Sequence, residues 1–174
     1  MQKIQENKNQ IQILTQTRDF LLPKLMSDKI RLKQDLQDFK IKIMELDEIT
    51  YKIIGASMKV HSTLGNGFQE VIYQRCLAIE LESAGLGFVR EQEHNIYYEG
   101  IEVGTRRADF VIENKVILEI KALINLEDVH LAQAKNYVVA YGFDIGLLIN
   151  FGATSLQYKK VFNSKTNPVN PQIK

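Results

Sequence analysis

Apolar positions recur with a helical period in the first half of the chain and change to alternation in the second half. In the compact part of the chain, the helical pattern predicts one helix from Asp47 to Leu64 and another from about Phe68 to Ala84, each followed by glycine. The alternating pattern then predicts three strands, over about 89–98, 101–113 and 116–122. A helix over 127–141 and a continuously apolar, parallel-type strand over 144–151 follow.

The first 45 residues have a different character, being rich in polar side chains and free of glycine. Pro23 is expected to divide this arm into a helix ending near Leu22 and a second helix from about Ser27 to Met44. The apolar stripe is narrow and needs a partner helix or a neighbouring domain, unless the arm is a solvated spacer; it includes Ile4, Ile11, Leu14, Leu21, Ile30, Leu36 and Phe39. We therefore predict a helical arm over 1–45, a domain over 46–162 and a flexible tail over 163–174, with polar, frayed sequence from Lys159 onward.

Composition narrows the class of protein. With 174 residues the chain can bury one domain plus an appendage. A net charge of +1 and a pI of about 7.8 give no overall field that would by itself attract nucleic acid, so any such binding must be local. The single cysteine, Cys76, excludes an internal disulfide and a cysteine zinc site. No stretch has the length of a membrane span or the apolar core of a signal peptide, and we expect a cytoplasmic protein.

Two acids and a lysine interrupt the most apolar strand pair. Asp109 lies in the second predicted strand, and Glu119 and Lys121 lie in the third. A reversal around residues 113–115 places Asp109 opposite Glu119 if one face buries Ala108, Phe110, Ile112, Val116, Leu118 and Ile120. Facing residues of antiparallel strands have Cα atoms roughly 4.5 to 5.5 Å apart. Both carboxylates can therefore reach one cation, with Lys121 beside them.

Two desolvated carboxylates repel each other, so their proximity is costly unless a cation neutralises them. Mg²⁺ (or Mn²⁺) fits this donor set, because it takes oxygen ligands and is often held by only one or two carboxylates. An adjacent lysine can orient a metal-bound water. A cross-strand salt bridge on a solvated sheet face explains the same three residues equally well, and the pattern alone leaves both interpretations open.

The order of elements and five motifs together resemble a known family. The motifs are His61-x-x-Leu64-Gly65-x-Gly67-Phe68-x-Glu70-x-x-Tyr73, Arg107-Ala108-Asp109-Phe110, Glu119-Ile120-Lys121-Ala122, Gln133, and Asn150-Phe151-Gly152. Residues from about 46 to 162 are similar to the GxxExxY proteins, a branch of the PD-(D/E)XK nuclease superfamily. The resemblance implies an α/β (α+β) domain with a restriction-endonuclease-like αβββαβ core, in which a mixed sheet is flanked by helices. Asn66 stands where the family usually has proline, a change that a turn tolerates.

The resemblance also implies roles. Asp109, Glu119 and the Ile120 carbonyl would hold the metal, Lys121 would place the attacking water, and Glu70 would support the metal or its water. Gln133 and Tyr137 resemble the Gln-x-x-x-Tyr signature of an exonuclease-like branch, with Gln133 facing the site. Tyr73 belongs to the same motif as Glu70. Glu70 can also be interpreted as a helix-surface acid, and Tyr137 as a core aromatic.

Other polar residues are weaker candidates. His130 is spaced to face the same way as Gln133 and is a candidate to support the site. Arg107, with Arg106, Lys115 and Lys135, can contact phosphates, although each alone reads as a solvated charge. His61 suits a helix end and His94 a structural position.

The arm carries a second resemblance. Residues from about 1 to 33, and Leu14-Thr15-x-Thr17-Arg18-Asp19-Phe20-Leu21-Leu22-Pro23 in particular, are similar to the closing segment of a type I restriction specificity subunit. This implies a homodimer or a helix-mediated partner through residues 1–44, linked to restriction-modification systems, or else a relic of gene fusion.

The sequence thus predicts a metal-dependent nuclease-like protein that hydrolyses nucleic-acid phosphodiester bonds, with DNA as the expected substrate. The alternative is a module on a nuclease fold that binds nucleic acid or a partner without significant catalysis. The sequence leaves open whether cleavage is endo or exo.

Overall fold

The computed structural model describes residues 2–164, with side chains for residues 14, 15 and 17–164. The chain divides into two compact units, Met1–Met44 and Glu45–Lys174. Its elements are α1 (Gln2–Leu64), α2 (Glu70–Ser83), β1 (Phe88–Tyr98), β2 (Ile101–Ile112), β3 (Val116–Lys121), α3 (Asp128–Ala140), β4 (Ile145–Asn150) and β5 (Gln157–Phe162). No described helix has the length and apolarity that crossing a membrane requires.

The five strands form one mixed sheet in the order β1-β2-β3-β4-β5. Only β3 and β4 are parallel, and the connection between them contains α3. Every residue of β4 is buried, and so is every residue of β3 except Lys121, as expected for the centre of a sheet covered on both faces. The predicted α+β architecture with a restriction-endonuclease-like mixed sheet and flanking helices is confirmed.

Strand β5 was not predicted, since residues from Lys159 onward were assigned to a frayed tail. β5 pairs antiparallel with β4 over its whole length, from Gln157 opposite Asn150 to Phe162 opposite Ile145. Only Val161 of this edge strand is buried, so its sequence lacks the apolar alternation that identifies a half-buried strand. Backbone hydrogen bonds to β4 define it instead. The rest of the predicted tail, 165–174, lies outside the described residues.

The predicted break at Pro23 is wrong, because α1 is one helix that includes this proline. A proline within a helix removes one backbone hydrogen bond and crowds the preceding turn, but it does not always end the helix. The predicted new start at Asp47 is also absent. The Asp47 carboxylate bonds instead with Lys160 Nζ at 2.8 Å, and its carbonyl accepts the Thr50 hydroxyl.

The sheet separates two apolar clusters. One contains residues of α1 and α2 together with Phe110, Leu118 and Ile120, and the other contains residues of α3 together with Val111 and Ile117. This alternation confirms that the β2–β3 hairpin turns around residues 113–115 in the expected register, with Phe110 opposite Leu118.

Strand β2 changes face at Asp109. Ala108 was expected to share a face with Phe110, but it packs in the α3 cluster while Phe110 packs in the α1–α2 cluster. Opposite this point on β1, Glu91 has φ 51°, a left-handed conformation that is uncommon for residues other than glycine. The β1–β2 register passes from Arg90–Phe110 to Gln92–Ala108 without a Glu91–Asp109 pair. Asp109 therefore lies where the strand leaves its regular ladder.

Candidate active site

Asp109 is held by two hydrogen bonds. Its Oδ2 accepts the backbone N–H of Ile120 at 2.7 Å, and its Oδ1 accepts Nε2 of Gln74 at 2.7 Å. Burial raises the pKa of this carboxyl, while the Ile120 N–H and the charge of Lys121 oppose the rise. These bonds hold the Asp109 carboxylate beside the end of β3, which carries Glu119 and Lys121.

Glu119 is the most unusual side chain of the domain. It is only 4% exposed, and its Oε1 is buried without a hydrogen-bond partner among the described residues. Burial and then the neighbouring Asp109 charge raise its pKa from 4.5 to about 8, against the opposing charge of Lys121. A buried polar atom without a partner is costly, so this oxygen is a candidate ligand atom.

Lys121 ends β3 with its side chain 15% exposed, and its Nζ lies 4.0 Å from Glu119 Oε2. Its backbone is paired with Asn150 of β4, and its carbonyl accepts the N–H of Phe151 at 2.8 Å. The ammonium is therefore held next to both acids by a strand that is fixed on each side.

Glu70 joins the same group from another element. It is the first residue of α2, where a negative charge is favoured by the helix dipole, and its Oε1 accepts the N–H of Ala122 at 3.3 Å. Burial is the largest cause of the raised pKa of Asp109 and Glu119, and the charge of Glu70 adds to it in both. The acid at the start of α2 thus lies at the end of β3.

Gln74 was missed by the sequence reasoning. It lies one turn after Glu70 on α2, is 8% exposed, and donates to Asp109 Oδ1. The available signal was an amide on the inward side of a helix whose other inward residues, Tyr73, Leu77 and Leu81, are apolar. An amide in that position needs a polar partner, and a strand acid supplies it.

Replacing Gln74 with methionine should lower the affinity for Mg²⁺ by about 10- to 100-fold, because outer hydrogen bonds of this kind orient metal-binding carboxylates. Calorimetric titration of the metal-free protein measures the change. Gln69→Met is the matched control, since Gln69 precedes the same helix and its side chain makes no capping bond. Equal affinities of the two variants would contradict the role of Gln74.

The segment that follows Lys121 is fixed by Asn150 and Gly152. The Asn150 Oδ1 accepts the N–H of Leu123 at 2.8 Å, and its Nδ2 donates to the Leu123 carbonyl at 2.8 Å. Gly152 passes so close that an added Cβ would lie 2.4 Å from the backbone N of Leu123. Only glycine fits this crossing without displacing backbone.

Tyr73 has a structural position. Its ring is fully buried and stacks on Phe151 at 4.6 Å, and its hydroxyl donates to the carbonyl of Gly65. The same hydroxyl accepts the N–H of Phe68 at 3.2 Å. Tyr73 therefore fixes the loop that precedes Glu70.

Gln133 and Tyr137 line a cavity of about 830 Å³ between β1, Arg106 and α3, together with His94, Asn95, Ile96, Tyr97, Val129, Ala132, Asn136, Val139 and Ala140. The Arg106 guanidinium lies over the Tyr137 ring at 5.8 Å. No hydrogen bond of the described residues joins Gln133 to Asp109 or Glu119. The structure therefore places Gln133 beside this cavity and outside the hydrogen-bond network of the acids.

Three further candidates have other contacts. His130 Nδ1 accepts the N–H of Glu127 at 3.0 Å and completes a capping box at the start of α3. Arg107 is exposed and lies 4.0 Å from Glu91. His61 bonds the carbonyl of Ala153 through Nε2. These contacts account for the two histidines locally, and Arg107 remains a solvent-facing cation.

The donor set suits a hard divalent cation with few protein ligands. Within the described part of the chain, no three or more side chains of His, Cys, Asp and Glu are grouped as a metal site. Asp109 and Glu119 offer two carboxylates, and Mg²⁺ is commonly held by one or two while water and substrate phosphate complete its shell. The Glu119 oxygen that lacks a hydrogen-bond partner within residues 17–164 is the observation that fits such an ion.

Comparison with known proteins identifies the superfamily of the domain. A search of curated proteins found no match. A solved structure named "Crystal structure of SSO0001" is similar with a TM-score of 0.46 and 20% sequence identity, over 54% of this chain and 50% of that chain, so this chain spans about half the length of that protein. The family model of the PD-(D/E)XK nuclease superfamily, whose members generally use divalent metals, matches residues 47–161. The chain belongs to the PD-(D/E)XK nuclease superfamily.

Proposed function

We propose that this protein hydrolyses phosphodiester bonds of DNA with a divalent cation, Mg²⁺ or Mn²⁺. The observation that carries the proposal is the buried Oε1 of Glu119, which has no hydrogen-bond partner among the described residues and lies in a group with Asp109 and Lys121. When bound, the cation supplies charge neutralisation at the phosphate and acidifies a water molecule.

The residues of the chain have distinct tasks in this proposal. Asp109 and Glu119, with the Ile120 carbonyl, hold the cation, and Gln74 keeps the Asp109 carboxylate in position. The backbone N–H of Ile120 donates a hydrogen bond to the Asp109 carboxylate. This bond holds the backbone at Ile120 beside that carboxylate. Lys121 orients the attacking water, and its ammonium opposes the charge that accumulates on the phosphate. Glu70 supports the water from the start of α2.

Substrate binding depends on local contacts, since the net charge of the chain is only +1. The cavity beside α3 offers an aromatic ring, amides and Arg106, which suit a nucleic-acid strand. Arg106 precedes Asp109 by three residues on β2, a distance of roughly 10 Å along a strand. Gln133 and Tyr137 therefore contact the substrate in this proposal, and Arg107 contributes a phosphate contact from the exposed strand.

The GxxExxY branch remains part of the proposal. Its support is the loop before α2, where Gly65 and Gly67 have φ 69° and 103° and the Tyr73 hydroxyl bonds the Gly65 carbonyl. The glycines of the motif form the turn that places Glu70 at the end of β3, and Tyr73 holds that turn. The spacing between the glycines, Glu70 and Tyr73 therefore has a structural reason. A link to restriction-modification systems rests on the resemblance of the arm alone.

A cleavage assay tests the function directly. Wild-type protein with Mg²⁺ or Mn²⁺ should cut linear or nicked DNA, and Lys121→Met should reduce the rate by about 10² to 10³ through loss of the water-orienting ammonium. Methionine keeps the apolar stem of this mostly buried side chain. Lys159→Met, at an exposed position of β5, is the matched control and should leave the rate unchanged. Equal cleavage by wild type and Lys121→Met would overturn the proposal, as would inactivity of the wild type on DNA.

A further inference from the structure

Unit Met1–Met44 presents large apolar side chains at heptad spacing. Between residues 22 and 43, seven positions follow one another at alternating spacings of three and four residues. Lys29 occupies one of them. The other six are apolar and between 43% and 63% exposed, namely Leu22, Leu25, Leu32, Leu36, Phe39 and Ile43. A stripe with this period is the seam of a coiled coil, in which a second helix covers the apolar positions. We refer to these seven residues as the arm seam.

The charges beside the arm seam identify what covers it. Asp28, Asp35 and Lys42 flank the seam on one side, and Lys33 and Lys40 flank it on the other. We propose that the occupant is a second copy of this chain, in a parallel, in-register, two-stranded coiled coil. In that arrangement each flanking residue of one side faces the residue five positions later on the other copy. Asp28 then faces Lys33 of the second copy, and Asp35 faces Lys40 of the second copy.

The same charges favour the parallel over the antiparallel arrangement. Antiparallel helices place like flanks together, so within residues 22–43 Lys33 and Lys40 would meet no acid, and the two aspartates could meet only Lys42 as an opposite charge. Like charges across the seam are unfavourable. A symmetric parallel pair instead makes four contacts of opposite sign, two for each of its two edges.

The composition of the seam fits two strands. Leu25 and Leu32 occupy the positions at which leucine favours a parallel dimer. Lys29 is the single polar residue of the seam, and one such residue specifies register and oligomer state at a cost in stability. In the parallel pair, Asp28 of the second copy lies in the hole that receives Lys29. Pro23 and Lys24 fall on the side away from the seam, where the missing proline N–H does not disturb the contact.

This inference does not depend on the proposed nuclease activity, because it uses residues of the arm alone. Sedimentation equilibrium of the full chain should give twice the chain mass of 20.0 kDa at micromolar concentration. The double variant Lys33→Asp with Lys40→Asp makes both flanks acidic and should weaken dimerisation by at least about 100-fold. The double variant Asp28→Lys with Asp35→Lys makes both flanks basic and should do the same.

Mixing the two double variants should restore dimers, since acidic flanks then face basic ones, and this excludes unfolding as the cause of the loss. Lys24→Asp with Arg31→Asp changes the charge equally at positions away from the seam and should leave the dimer unchanged. With Cys76 replaced by serine, Lys29→Cys should form a disulfide between copies upon oxidation, because only a parallel, in-register pair brings residue 29 next to itself. A monomeric wild type, a dimer insensitive to the flank variants, or no cross-link at residue 29 would overturn the proposal.

Discussion

Replacing Glu119 with glutamine is expected to reduce metal-dependent DNA cleavage by about a thousandfold, which corresponds to roughly 4 kcal/mol of activation free energy. Glutamine keeps the size of the side chain but cannot supply the anionic oxygen that the proposal assigns to the cation. The fold should be retained at neutral pH, because a carboxyl with a pKa of about 8 is mostly neutral at pH 7 in the metal-free protein. Cleavage rates at saturating Mg²⁺ measure the effect.

The same variant should change how stability depends on pH. The pKa of Glu119 is raised from 4.5 to about 8 in the folded protein, so between these values the folded chain holds a proton that the unfolded chain has released. The free energy of unfolding of the wild type therefore falls as pH rises from 4.5 to 8, by about 1.4 kcal/mol for each unit of a pKa difference. Glu119→Gln lacks this penalty and should be the more stable protein at pH 9, by a few kcal/mol, with little difference at pH 5.

Denaturant titration in the presence of a chelator at pH 5, 7 and 9 measures this difference. Glu82→Gln provides the control, because Glu82 is exposed near the end of α2 and should show neither the activity loss nor the pH effect. Two results would count against the assignment. One is full activity of Glu119→Gln, and the other is an identical pH dependence of stability in wild type and variant.

The affinity for Mg²⁺ should rise about tenfold for each pH unit between 6 and 8 and level off above 8. The reason is competition, since a cation must displace the proton that burial keeps on Glu119 below its pKa of about 8. Calorimetry in two buffers of different ionisation enthalpy should detect release of nearly one proton per ion at pH 7 and almost none at pH 9.

Glu119→Gln should abolish this proton release together with most of the binding. An Mg²⁺ affinity that stayed constant between pH 6 and pH 9 would show that Glu119 is not a ligand.

The sequence predicted most of the domain because its signals are local. Alternation in β2 and β3 fixed the turn at 113–115 and brought Asp109 and Glu119 together, and a helical period placed Glu70 at the start of α2. Strand β5 had no such signal, since five of its six side chains are at least partly exposed and its pairing with β4 is made by backbone groups. Tertiary pairing decides such an edge strand.

The positions of Ala108 and Gln74 also differ from the sequence-based prediction or were absent from it, for physical reasons that no local pattern contains. Ala108 packs in the α3 cluster because the β1–β2 ladder is interrupted between Glu91 and Asp109, whereas alternation assumes a regular strand. Gln74 contacts an acid 35 positions away, so its partner is visible only when α2 and β2 are placed side by side. Propensity also failed at Pro23, where a single unfavourable residue was outweighed by the helix around it.

The crossing at Gly152 constrains how this chain can diverge. Any other residue there would insert atoms between two backbone segments, and the segment displaced first is 122–123, which directly follows the ammonium-bearing Lys121. A substitution at this position would therefore shift the backbone directly after Lys121. The absence of a Cβ at position 152, just after β4, therefore links which residues this position tolerates to the backbone position of the residues that follow Lys121.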